Sequence, residues 1–255
     1  MRVAGLLLGM LLSAQVAGES LSLRVMTDVW PPFRMLTNNG TLYGLDIDLL
    51  HEIAQRSGYK VVVERAPWAR GLAALQSGRA DMMTGLAKTA EREQYISYLE
   101  PAYYACAPRI YVAPQTAPSL THYQQLAGKR IGYVLDSAYF EPFDSDKKLD
   151  KIAVNNESQL LGMLVRGRIQ AFVGTDCQVD HVLRDPSMAK RIAKAAYKPD
   201  SQTKLYLGFS RVGDHAEAMQ RIGEVLKQLR EEGWIARRAE HYGLEQPSLR
   251  EYRAP

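Results

Sequence analysis

Two cysteines in 255 residues, Cys106 and Cys177, are too few for a zinc knuckle. The five histidines, His51, His122, His181, His215 and His241, fall at no paired metal-ligand spacing. There is no G-x-S-x-G elbow, no G-x-x-x-x-G-K-[ST] loop and no G-x-G-x-x-G turn. The acidic stretch EPFDSDKKLD lacks the glycine and register of a calcium loop and reads as a solvated surface segment. The formal charge is +4, but the basic residues are scattered and form no block that would track phosphates. Past the first residues no stretch of 18 apolar residues follows, so no membrane span is expected. No metal, cofactor or nucleic acid is expected. These absences argue against several enzyme classes without excluding an enzyme.

What is present begins with MRVAGLLLGMLLSAQVAGES. Arg2 supplies a short positive region, Ala4 to Leu12 a short apolar one, and Ala14, Val16, Ala17 and Gly18 lie near a cleavage point. Residues 1–18 therefore read as a secretory signal peptide, outside the fold. Export permits a disulfide. Cys106 and Cys177 lie 71 positions apart, and the sequence leaves a bridge and two buried thiols equally open.

The rest of the chain alternates. LSLRVMT reads as a strand, and NNGTLYG holds hairpin residues. LDIDLLHEIAQRSG reads as a helix that Asp46 can cap, with Ile47, Leu50, Ile53 and Ala54 on one face and Gly58 past its end. KVVVERA is a β-branched strand, WARGLAALQSG a second helix stopping at Gly78, and DMMT a buried strand. That order predicts a mostly parallel α/β sheet. ACAPRIYVAPQTAPSL, with three prolines, reads as a crossing, and a second α/β set follows in KRIGYVL, SQLLGMLVRG and IQAFVG. KLYLGFSRV is again a strand, and the helical stretch after it breaks at Gly233. Two such sets form two lobes, with a ligand cleft outside the carboxyl ends of their strands.

Trp30 stands before Pro31-Pro32 at one strand end, and Trp68 follows Pro67 at another. Large aromatics there serve as core anchors or as ligand platforms. In TGLAKTAER, Thr89 reads as an N-cap with Arg92 at the third helical position. Helix N-terminal N–H groups attract anions, and an arginine beside them can grip a carboxylate with two prongs. The plainer alternative is an ion pair of Arg92 with Glu91, Glu93 or a neighbouring surface acid.

The motifs TDVWPPF, GTLYGLDIDLLHEIA, ALQSGRADMMTGLAKTAERE, YLEPAYY, LAGKRIGYVLDSAYF, LVRGRIQAFVGTD and LKQLREEGWIARRAEHYG occur in that order. Together they resemble the bacterial extracellular solute-binding proteins of family 3, the periplasmic amino-acid-binding type. The similarity runs from about Leu21 to Gly243. It implies an α/β, two-lobe periplasmic binding protein fold of type II, with two crossing strands at the hinge. Lobe one is expected at 19–107 plus 208–255 and lobe two at 108–207. The resemblance also implies a monomer in the periplasm that captures a small carboxylate-bearing ligand, an amino acid or a relative of one. The ligand would pass to an ABC transporter permease in the inner membrane.

Carried over position by position, the resemblance assigns stacking to Trp30 and Trp68. Hydroxyl and main-chain contacts fall to Thr84 and Gly85, and carboxylate binding to Arg92. Asp136, Ser137 and Ala138 form the lobe-two loop. Four departures stand out. Ala87 and Ala138 replace expected hydroxyls. Thr175 stands where the family places the acid for the ligand ammonium, with Asp176 next to it. Arg70 stands where a small residue is common and adds a second candidate cation. An enzyme resembling cyclohexadienyl dehydratases, using Asp176, Asp136 or Glu141, is one alternative. A sensory module reporting to a receptor is another.

Overall fold

The computed structural model describes residues 21–245. The segment read as an export signal, 1–18, lies outside the described residues.

The chain begins with β1 (Ser22–Thr27), then a small hairpin of β2 (Met35–Leu36) and β3 (Leu42–Tyr43) around the expected turn. Helix α1 (Leu45–Ser57) buries Leu49, Leu50 and Ile53 completely. Each such side chain contributes about 1.5–3 kcal/mol of transfer free energy. Gly58 ends α1 at φ 78°, a left-handed conformation that suits glycine. The start departs from expectation. Gly44 is the N-cap and Asp46 lies inside the first turn, where its side chain serves partners from elsewhere in the fold.

Strand β4 (Lys60–Arg65), helix α2 (Trp68–Gln76), β5 (Met82–Leu86) and the long β6 (Ile96–Cys106) follow. Far along the chain, β12 (Thr203–Ser210) enters the same sheet, whose order is β4-β1-β5-β12-β6. Strands β4, β1 and β5 run parallel, and β12 is antiparallel to both its neighbours. Helices α6 (Ala216–Glu231) and α7 (Trp234–His241), separated by Gly233, cover one face together with α1. Helix α2 covers the other. A sheet covered on both faces explains the near-continuous apolar run of β5.

The second sheet, β11-β7-β10-β8-β9, uses β7 (Pro108–Val112), β8 (Arg130–Val134), β9 (Asp150–Val154), β10 (Ala171–Thr175) and β11 (Ala193–Lys194). Helices α3 (Glu157–Val165), α4 (Asp176–Val182) and the short α5 (Pro186–Ala189) belong to this half. Apolar clusters around Ile110, Ile131 and Val173, and around Leu160, Phe172 and Val179, form its core.

The chain crosses between sheets twice. It passes from Cys106 in β6 to Pro108 in β7 with only Ala107 between, and returns between Lys194 and Thr203. Strand β12 pairs with β6 from its first residue, Thr203 opposite Cys106. Residues 203–207 thus stand in the sheet of lobe one, ahead of the expected return at 208. Cys106 and Cys177 form a disulfide, with Cα atoms 5.6 Å apart, joining the end of β6 to the first turn of α4.

Candidate functional site

The loop after β1 folds back on itself. Trp30 and Arg34 exchange main-chain hydrogen bonds at 2.8 and 2.9 Å, which sets their side chains next to each other. The Trp30 indole stacks on the buried Phe33 ring at 4.5 Å, and the Arg34 guanidinium lies 5.2 Å from the Trp30 ring centre. Asp28, at the end of β1, spends both carboxylate oxygens on main-chain N–H groups. Oδ1 accepts from Val29 at 2.8 Å and Oδ2 from Trp68 at 3.0 Å. The second bond caps α2, because the residue before Trp68 is a proline with no side-chain acceptor.

Beneath this loop lies a buried polar network. Arg34, 2% exposed, donates to the fully buried Asp46 carboxylate and, at 3.2 Å, to the Thr84 hydroxyl. Thr84 donates to Asp46 Oδ2 at 2.7 Å, and the Tyr103 hydroxyl donates to Oδ1 at 2.7 Å. Burial drives the Tyr103 hydroxyl well above its ordinary pKa, so it stays a donor. Gly85 makes the arrangement possible. It sits at φ 71°, and a Cβ there would lie 2.7 Å from Arg34 Nη1.

Arg92 is 5% exposed. It opens a single 3-10 turn, Arg92–Gln94, in place of the expected helix, so no helix N-terminus contributes to an anion site. Thr89 does accept the Arg92 N–H, at 3.2 Å. The guanidinium donates to the carbonyls of Ala87, at 2.8 Å, and of Asp136 across the gap between the lobes. It lies 5.9 Å from the Trp68 ring centre, and the Trp68 Nε1–H also donates to the Asp136 carbonyl, at 3.2 Å. Glu93 is taken by Lys88 at 3.1 Å. Among the described residues Arg92 makes no ion pair.

A cleft of about 600 Å³ lies between the lobes. Trp30, Trp68, Gly85, Arg92, Ser137, Ala138 and Thr175 line it, as does Ala87. Four of the expected residues do not reach it. Thr84 lies below the surface and faces Asp46. Arg70 is exposed on α2 and does not line the cleft. Asp136 takes φ 57° and offers only its carbonyl, to Trp68 and Arg92. Asp176 opens α4, and its Oδ1 accepts from the Ala107 and Cys177 N–H groups at 2.8 Å each, tying it to the hinge. Glu141 also lies outside this cleft.

Sequence reading missed three charged residues of the cleft: Asp28, Arg34 and Glu157. The first two flank a motif that was noticed for its tryptophan. Glu157, at the first position of α3, carries the ordinary signature of an acid at a helix start. The residue is half-buried against the cleft. Desolvation pushes its carboxyl up to about 7, although its own N–H and Gln178 donate to it. The Thr175 hydroxyl is buried with no hydrogen-bond partner among the described residues.

Comparison with known proteins matches residues 23–245 to the model of the bacterial extracellular solute-binding proteins, family 3. The probable amino-acid-binding protein YxeM of Bacillus subtilis is 22% identical over 208 residues, 80% of this chain and 77% of that protein. The histidine-binding periplasmic protein of Escherichia coli K12 is 28% identical over 165 residues, 62% of each chain. Among solved structures, an ancestral arginine-binding protein bound to arginine superimposes with a TM-score of 0.77 at 24% identity, covering 87% of this chain and 98% of that one.

Proposed function

We propose, from the premise that this chain belongs to the bacterial extracellular solute-binding proteins of family 3, that its cleft captures a small carboxylate-bearing ligand, an amino acid first among the candidates. The observation that carries this reading is Arg92, a buried cation that donates to carbonyl oxygens and, among the described residues, pairs with no carboxylate. A buried charge without a counter-charge is costly, and a ligand carboxylate would supply one. Ala87 fits that role without a hydroxyl. Its carbonyl holds Arg92 in place and also accepts from Tyr98, at 3.2 Å. Trp30 and Trp68 supply apolar walls, and Ser137 and Ala138 close the far side.

Relatives support the ligand class. The Escherichia coli protein is named for histidine and the ancestral protein was solved with arginine. The bonds from Trp68 and Arg92 to Asp136 bridge the lobes, so they belong to a closed state that a ligand touching both lobes would favour. Delivery to an ABC transporter permease from the periplasm, by a monomer, completes the reading. No catalysis is assigned, since Asp136, Asp176 and Glu141 all stand away from the cleft.

A thermal-shift screen against amino acids and organic acids tests this. A ligand at about 100 times its Kd stabilises the protein by roughly 2.7 kcal/mol. Arg92→Ala should weaken the best binder by about 10- to 100-fold, as expected for losing hydrogen bonds to a charged group. An unchanged Kd would remove the anchor. Consumption of prephenate or arogenate in the same panel would move the reading to an enzyme.

A further inference from the structure

We propose that Glu157, at the start of α3, binds the α-ammonium of the ligand, so that the ammonium subsite of this cleft lies on lobe two beside Thr175 and not on the end of β10. The inference rests on the amino-acid reading above and deepens it.

Four observations place it there. The last residue of β10, Thr175, carries no charge, and Asp176 is turned away to the Ala107 and Cys177 N–H groups. Only two acids, Asp28 and Glu157, line the cleft among the described residues. Asp28 has both oxygens committed to main-chain N–H groups. Among the described residues Glu157 makes no ion pair, and its side-chain partner is the amide of Gln178 on α4.

The second, independent sign is Thr175. Its residue is 5% exposed, it lines the same cleft, and its hydroxyl has no partner among the described residues. A buried hydroxyl left unsatisfied costs about 1–3 kcal/mol in general. An ammonium has three donors. One on Glu157 and one on Thr175 would satisfy both residues. Arg92 at the carboxylate and Glu157 at the ammonium then place opposite charges on opposite lobes, and a zwitterion bridges them.

The charged and titratable groups facing Glu157 are Asp28 and Arg34 from lobe one and Tyr139 from the loop after β8, with Gln178 as its hydrogen-bonding neighbour on α4. Burial holds the empty carboxyl near neutrality, at about 7. Ammonium binding favours the ionised form, so binding below that pH releases a proton, and affinity rises with pH until Glu157 is ionised without ligand.

The test uses matched pairs differing only in the α-ammonium. These are L-glutamine with glutaramate, L-histidine with imidazole-4-propionate and L-arginine with 5-guanidinopentanoate. Isothermal titration of wild type and Glu157→Gln, in buffers of different ionisation enthalpy at pH 6, reads both affinity and protons released. The expected result is a loss of about 10- to 100-fold for the amino acid, the scale of a charge-assisted hydrogen bond. The deaminated partner should change by less than about twofold, and proton release should vanish in the variant. A Glu157→Gln protein that binds an amino acid as wild type does, or loses both members of a pair equally, overturns the subsite and leaves the Arg92 anchor standing. Wild type that binds no amino acid overturns the amino-acid reading itself, and the subsite with it. Glu157→Asp, which keeps the charge, should retain proton release if the variant protein folds as wild type does.

Discussion

Two sets of charges meet at this cleft, and they are built on opposite plans. Below the floor of lobe one, Asp46 is saturated. Arg34, Thr84 and Tyr103 all donate to it, and no part of it reaches water. Above the floor, Arg92 and Glu157, one on each lobe, make no ion pair among the described residues. The closed set is scaffolding whose worth is structural. The open set costs stability, and its worth appears only when something fills it. A buried ion pair fixes geometry, whereas a charge lacking its partner selects a ligand.

The contrast breaks most sharply at Asp46. Asp46→Ala leaves Arg34 buried and unpaired, which should cost about 3–5 kcal/mol, measured by urea denaturation. A loss below about 1 kcal/mol would show that the network is not structural. Next comes Gly85→Ala, which forces an L residue to φ 71° and drives its methyl against Arg34. About 1–2 kcal/mol is expected from the backbone alone. Because Arg34 is the neighbour displaced, ligand affinity should fall with it, and a variant that loses stability but keeps full affinity would divorce the floor from the site.

The last test is a pH-dependent one, Glu157→Gln without ligand. The folded carboxyl sits near 7, above the unfolded value of about 4.3. Between those values the folded state holds more proton, so wild type loses stability as pH rises. Relative to wild type, the variant should gain from about pH 4.3 up to 7 and stay level above. A flat difference across that range would mean that the group is not desolvated as described.

The local signals in the sequence were strong where one element decides its own fate. The hairpin at NNG, the left-handed stop at Gly58, the break at Gly233 and the two-sheet order were all legible, because turn chemistry and apolar periodicity act over a few residues. The failures share a different cause. Asp46 obeys the rule for a cap, yet Arg34, Thr84 and Tyr103, up to 57 positions away, claim its carboxylate. Asp176 looks like a cleft acid by position, but β10 ends at Thr175 and the first turn of α4 swings its side chain to the hinge. Glu157 passed as an ordinary helix-start acid, since nothing within its own helix reveals that Asp28 and Arg34, in the loop after β1, face it. Charges on a site are tertiary facts, whereas strands and stops are local ones.

The Cys106–Cys177 bridge closes the chain between those two residues into a covalent ring that contains β7 to β10. A protease that nicks one peptide bond inside the ring would release no fragment. The ring is also anchored to β6 beside the first crossing, at the point where the lobes meet. Whatever motion opens the cleft must therefore swing about a stitched corner. The lobes can gape like a hinged shell, but at that corner they can neither slide past each other nor drift apart.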